Sequence, residues 1–80
     1  MTLQSVLPPY PSDVEPIARQ RQLPIHSTYN KGVIYYDEKT KFFYVVNDTA
    51  TSSENAFDFA TRNWQHAEEH FEQFGWEVAA

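Results

Sequence analysis

Two histidines one helical turn apart have the spacing that best fits a chemical site in this sequence. His66-Ala67-Glu68-Glu69-His70 matches the pattern H-x-x-E-H, in which two imidazoles bind zinc and the glutamate acts as a base. His66 and His70 are therefore the candidate metal ligands. Histidines near a helix C-terminus also simply complement the helix dipole. We therefore expect no cofactor, and we keep metal binding or a minimal zinc hydrolase built on Glu69 as an alternative function.

Other common catalytic sites lack their residues. The chain has no cysteine, which excludes a disulfide framework, a thiolate zinc site and a cysteine nucleophile. Its two glycines, at positions 32 and 75, cannot form a glycine-rich phosphate loop. No serine has a sequence context typical of an activated nucleophile. We therefore expect a protein that is not an enzyme.

Length and charge restrict the partners. Eighty residues make one small domain, and 6 Lys and Arg against 11 Asp and Glu give a net charge of −5. This balance argues against an anionic membrane and against nucleic acid, although a sheet-helix module that binds nucleic acid through Lys31, Lys39 and Lys41 remains a further alternative. The N-terminal segment resembles no signal peptide, and no apolar run reaches the roughly 18 residues of a membrane span. We expect a cytoplasmic protein with no membrane contact.

The first part of the chain divides into an arm and a short helix. Residues 1–11 contain three of the five prolines and predict an extended arm, which leaves residues 12–80 as a single domain. Ser12 and Glu15 have the spacing of a capping box, and apolar residues at helical intervals predict a helix over 13–22. Pro16 weakens this helix unless Asp13 is the cap, which would place the proline in the first turn.

Three strands are predicted between residues 25 and 46. Residues 25–29 alternate in polarity, Asn30-Lys31-Gly32 suits a three-residue turn with glycine in the left-handed conformation, and residues 33–36 are β-branched or aromatic. A polar turn over 37–40 precedes a third strand at 41–46. These segments predict an antiparallel meander.

A long amphipathic helix over residues 54–74 is the simplest prediction for the rest of the chain, with Thr51 and Glu54 as its capping box. Gly75 suits a left-handed C-cap, and Trp76 would fold back on the last turn. The alternative makes 56–60 a fourth strand and starts the helix after Thr61. The stripe of the long helix is spaced by 3 and 4 residues: Phe57, Ala60, Trp64, Ala67, Phe71 and Phe74.

The expected fold class is α+β, with a short N-terminal helix, a three-stranded meander and the long helix packed on the sheet. Both faces of the inner strands are apolar or aromatic, yet one helix covers only one face. The second face would then be covered by residues 1–23, by a second copy of the chain, or by a partner.

These surfaces predict a small non-enzymatic protein-interaction module of accessory, regulatory or inhibitor type. The partner is another protein or a second copy in a homodimer. If the long helix covers the opposite face, an aromatic contact is left open, with helix carboxylates as its steering rim. The predicted partner-binding residues are Ile34, Tyr36, Phe43, Val45, Glu69 and Glu72.

Overall fold

The computed structural model describes residues 7–48 and 57–79, which form an α+β fold. A four-stranded antiparallel sheet with the strand order β1-β2-β3-β4 lies between two helices. The predicted fold class is confirmed, and the predicted number of strands is too low by one. The elements are α1 (Pro11–Gln20), β1 (Ile25–Tyr29), β2 (Gly32–Asp37), β3 (Phe42–Asn47), β4 (Phe59–Thr61) and α2 (Trp64–Glu72).

The predicted meander is present with its strand ends within one residue of expectation. β2 pairs with β3 along its full length, from Gly32 opposite Asn47 to Asp37 opposite Phe42. β1 pairs with β2, and an irregularity in register falls between Ile25 and Ser27. Alternation of side chains along β2 and β3 therefore sends successive residues to opposite faces of the sheet.

Gly32 has a different role from the one predicted. It opens β2 opposite Tyr29 instead of closing a turn, and its φ is not positive. A Cβ atom at this position would lie 2.5 Å from the ring of Phe71 and 2.8 Å from the carbonyl oxygen of Val46. Glycine is therefore required because the ring of Phe71 packs directly on the backbone.

Helix α1 begins two residues before its predicted start. Pro11 is its first residue, where a missing N–H costs nothing, and Tyr10 precedes it without a side-chain cap. Neither Ser12 nor Asp13 is the cap, and Pro16 lies inside the helix, where it removes one backbone hydrogen bond. The helix persists because Val14 and Ala18, which are buried, hold it on the sheet.

The long C-terminal helix is wrong, and the alternative with a fourth strand describes the fold better. β4 runs from Phe59 to Thr61, and α2 begins only at Trp64. Asn63 separates them because its side chain accepts a hydrogen bond from the N–H of Gln65 and caps α2. Phe57, the first residue of the predicted stripe, is 65% exposed. The predicted capping box at residues 51 and 54 lies outside the described residues.

α2 ends at Glu72, two residues before the predicted end, but the predicted cap at Gly75 is confirmed. Gly75 has a φ of 73°, the Gly75 N–H donates to the carbonyl of Glu72, and the Trp76 N–H donates to the carbonyl of Phe71. This pair of bonds is the Schellman motif, which ends a helix at a left-handed glycine. The ring of Trp76 packs against Phe71 with centroids 5.5 Å apart, so the chain turns back on the last turn.

Each helix covers one face of the sheet. The α1 face has a core of Val14, Ala18, Phe42, Tyr44 and Val46. The α2 face has a core of Tyr29, Ile34, Val45, Ala67, Phe71 and Trp76.

The second face of the sheet is covered by α1, which lies within residues 1–23 of the same chain. This is the first of the three alternatives considered above. No helix within residues 7–48 and 57–79 is long and apolar enough to cross a membrane.

Candidate functional site

Half of the predicted apolar contact lies in the core. Ile34 and Val45 are fully buried, with 0% of their surface exposed. They point toward α2, which packs on their face and not on the opposite one. These two side chains therefore cannot touch a partner in this fold, and the prediction that they would is corrected.

The other two predicted residues, Tyr36 and Phe43, belong to the same face, near the first residue of α2, and are half-buried. Their ring centroids are 4.9 Å apart. Trp64 packs on Phe43 at 5.2 Å, and His26 packs on Trp64 at 4.5 Å and on Phe43 at 5.3 Å. We call these four residues the aromatic cluster: His26, Tyr36, Phe43 and Trp64.

His26 joins the cluster through the irregularity in β1. The register shift between Ile25 and Ser27 marks a bulge, which re-aims a side chain relative to regular alternation. The His26 ring thereby lies on the α2 face, where its Nδ1 is 2.9 Å from the hydroxyl oxygen of Ser27. Sequence analysis missed this residue because nothing in the alternating pattern of β1 indicates the bulge.

Trp64 is placed by the start of α2. The Asn63 cap fixes Trp64 as the first residue of the helix. The Asn63 N–H donates to the hydroxyl oxygen of Thr61, which makes the turn from β4 into α2 tight. Since Thr61 lies opposite Phe43 in the sheet, this short connection brings the indole next to the Phe43 ring. The Thr61 to Asn63 spacing is a turn and cap signal that the sequence contained.

The carboxylates of α2 lie on two flanks. Glu68 is four residues after Trp64 and so shares its side of the helix. Burial raises the pKa of Tyr29, and the nearby Glu68 and Glu72 carboxylates raise it further, so both carboxylates lie toward β1. Glu69 lies on the other flank, where it accepts a hydrogen bond from Gln65. Glu69 and Glu72 are the two carboxylates predicted to form the steering rim. Glu72 lies on the side of α2 toward β1, and Glu69 lies on the other flank.

His70 belongs to a polar chain between α2 and the end of β3. Its Nε2 is 2.9 Å from the side-chain oxygen of Asn47, and the Asn47 amide donates to Asp58 at 3.1 Å. Burial lowers the pKa of His70, while the Asp58 carboxylate acts in the opposite direction. The neutral imidazole is therefore the form that the fold favours.

The H-x-x-E-H residues do not converge on a metal site. His66 is exposed, whereas the Nε2 of His70 is directed to Asn47 and its Nδ1 is 3.5 Å from the amide nitrogen of Gln73. Within residues 7–48 and 57–79, no group of three or more metal-ligating side chains is placed to hold a metal ion. The pair stands on α2 without a third ligand in that part of the chain.

The three lysines considered for nucleic-acid contact lie at opposite ends of the sheet. Lys31 is in the β1–β2 turn, with its ammonium 5.9 Å from the Trp76 ring centroid. Lys39 and Lys41 are in the β2–β3 turn. They do not form the continuous basic surface that phosphate binding needs.

No protein-family model, curated protein or solved structure matches this chain. The aromatic cluster and its surroundings are therefore the features of this chain that bear on its function.

Proposed function

We propose that this protein is a small non-enzymatic protein-interaction module that acts in the cytoplasm, and that it binds a protein partner through the aromatic cluster. The observation that carries the proposal is the mutual contact of four rings at an accessible end of the α2 face. A second copy of the chain is the alternative partner for the same surface.

The physical chemistry of aromatic side chains supports this surface. Tyr and Trp are enriched at the positions that dominate binding energy, because they bury a large area and lose few rotatable bonds. The rings of the cluster already hold one another in place. Binding would therefore restrict few further side-chain rotations. A preformed surface loses less free energy to ordering on association.

The location of the cluster also supports a surface role. Ile34 and Val45 lie inside the core of the α2 face, and Phe43 and Trp64 pack against this core from its rim. From this rim the cluster continues outward to half-buried Tyr36 and exposed His26, and apolar patches that reach the surface often mark interaction sites.

Selection from a displayed random peptide library tests the proposal. Wild-type protein is expected to select peptides that bind more weakly to a Tyr36→Ala variant. The matched control is Tyr35→Ala, because Tyr35 is the neighbouring residue of β2 and packs on the α1 face. Thermal melting confirms that both variants are folded, and light scattering over a concentration series reports self-association.

The peptide selection and the light scattering distinguish a result that supports the proposal from one that overturns it. Peptide binding that is lost in Tyr36→Ala and kept in Tyr35→Ala supports the cluster as the binding surface, and so does a dimer that only Tyr36→Ala dissociates. A monomeric protein that selects no peptide, or whose peptides bind both variants equally, overturns the proposal.

A further inference from the structure

We propose that the outer edge of β1 is a strand-addition site, where an extended segment of a partner protein replaces residues 77–79 of the chain itself. We call residues 77–79 the tail. This inference goes beyond the proposed function, because the edge is a second surface and is recognised through backbone hydrogen bonds. The observation that carries it is that the tail already pairs with this edge, with Tyr29 opposite Val78 in an antiparallel bridge.

The hydrogen bonds of the tail are those of an added strand. The Ala79 N–H donates to the carbonyl of Thr28 at 2.8 Å, and the Asn30 N–H donates to the carbonyl of Glu77 at 3.0 Å. Two such bonds, one on each side of a residue pair, are the repeating unit of an antiparallel ladder. The outer edge of β1 therefore has the backbone geometry that a further strand needs.

β1 is an edge strand of the sheet with little protection in its sequence. Its five residues include no lysine and no proline, which are common on edge strands because they prevent pairing with other chains. A bulge between Ile25 and Ser27 disrupts one half of the edge, and the tail occupies the other half. Departure of the tail would therefore open the regular half to another strand.

The tail is held loosely. All three of its residues are exposed, and Val78 has 63% of its surface exposed. Backbone hydrogen bonds contribute little net free energy, and the ordering of three residues opposes them. Trp76, directly before the tail, is buried and would stay in the core when the tail leaves. A competing strand therefore has little to displace.

The edge favours an extended segment that is longer than the tail. A strand in the register of the tail continues toward Ile25, which is 58% exposed and which a longer segment would cover. The residue in the place of Val78 faces the same side as Tyr29, a member of the core of the α2 face. A β-branched residue suits that position, and the side chains of an added strand alternate. The expected partner segment is therefore β-branched at alternate positions.

A second copy of the chain fits this edge less well than a separate partner. The tail of a second copy would make the same bonds as the chain's own tail, so an exchange of tails gains no contact. Direct pairing of two β1 edges would displace two tails and bring two bulges together. A separate segment displaces one tail and meets one bulge.

Backbone methylation of a synthetic peptide tests for strand addition. The probe alternates threonine and valine, with a lysine at each end for solubility. When its valines take the place of Val78, their N–H groups point away from β1 and those of the threonines point toward it. The twin with N-methyl groups on every threonine is expected to bind at least about tenfold more weakly, whereas methylation of every valine should change little. Equal binding of the two twins would overturn strand addition.

Two proline variants test whether the tail competes for the edge. Ala79→Pro removes the N–H that bonds to Thr28, so we expect the probe to bind about two- to tenfold more tightly. Val78→Pro is the matched control, because alternation directs this N–H away from β1, and its affinity should stay nearly that of the wild type. Unchanged affinity in Ala79→Pro, or no binding to it, would overturn the proposal.

Nitrogen-15 NMR locates the probe and separates this inference from the proposed function. We expect it to shift the amide signals of Thr28 and Ala79 and to leave the indole signal of Trp64 nearly unmoved. A shift of Trp64 without Thr28 would place the probe on the aromatic cluster, which overturns the edge site and leaves the proposed function standing. Concentration-dependent shifts of Thr28 without any peptide would make a second copy the occupant and overturn the separate partner.

The opposite combination of results is equally informative. If the probe binds at Thr28 with the expected methylation pattern while library peptides bind Tyr36→Ala and Tyr35→Ala equally, the edge site is supported and the aromatic cluster fails as the binding surface.

Discussion

The two faces of the sheet are covered by helices of nearly equal length, yet they are closed differently. Helix α1 has 10 residues and α2 has 9. On the α1 face, Leu23 after the helix packs against the core and the preceding segment from Leu7 to Tyr10 lines a cavity with Phe42 and Tyr44. On the α2 face, within residues 7–48 and 57–79, Trp76 extends the core beyond the C-terminal end of the helix.

This difference explains why the aromatic cluster is accessible. A helix of 9 residues is about 13.5 Å long, shorter than the roughly 20 Å of a six-residue strand. The β4–α2 connection is tight, so α2 starts at Trp64 only two residues after β4, and no described residue in this connection extends over Tyr36. The packed end of the α2 face therefore provides stability, and the other end provides the proposed contact.

Phe71→Ala tests the packed end and has the largest expected effect. The side chain is fully buried and contacts Tyr29 and Trp76, with centroids 4.5 and 5.5 Å away. We expect the free energy of unfolding to fall by about 3–5 kcal/mol in urea denaturation. Tyr36→Ala, at the accessible end, is expected to cost less than half as much, and equal losses would contradict the division of this face.

Gly32→Ala tests the contact between Phe71 and the backbone. The added Cβ meets the Phe71 ring and the fixed Val46 carbonyl, so we expect a loss of about 2–3 kcal/mol in the same measurement. Phe71→Leu in the same chain should make Gly32→Ala less costly, because the ring is removed. Gly75→Ala is the control, since its strain comes from a φ of 73° with no atom near the added Cβ. Its cost should not change with Phe71→Leu.

Arg21→Gln tests how the α1 face is held. Arg21 forms a 3.0 Å ion pair with Asp37, whose side chain is only 4% exposed and has one further donor, the Lys39 N–H. Loss of the guanidinium leaves this carboxylate under-paired, and we expect a loss of about 1–2 kcal/mol by thermal melting. Arg19→Gln removes an exposed pair with Glu15 and should cost less than about 0.5 kcal/mol. A similar cost for both would show that the burial of Asp37 does not matter.

The sequence predicts the local structure better than the site. Alternation identifies β1, runs of β-branched and aromatic residues identify β2 and β3, and Gly75 with Trp76 identifies the helix end. The long helix fails because the spacing of Phe57, Ala60 and Trp64 fits a helix and equally a strand followed by a helix.

The candidate site is harder still because it depends on contacts between distant elements. The position of α2 along its face of the sheet decides that Ile34 is fully buried and Tyr36 only half-buried, and no local pattern contains this information. His26 enters the site through a bulge that only the pairing with β2 reveals.

A pH titration of stability gives the smallest expected effect and tests the flank of α2 away from the cluster. The folded-state pKa of His70 lies below its ordinary value of 6.5, mainly because of burial. The unfolded chain therefore binds more protons, so the stabilisation is fully present above pH 6.5 and is lost as the pH falls through the folded pKa.

For one proton this loss is at most about 1.4 kcal/mol per pH unit. His70→Gln should flatten the dependence below pH 6.5, since glutamine does not titrate and still carries an amide that can reach Asn47. His66→Gln, at an exposed position, should leave the dependence as in the wild type. If the pH dependence of stability disappears in His66→Gln and persists in His70→Gln, protonation of His70 is not the cause of the stability loss.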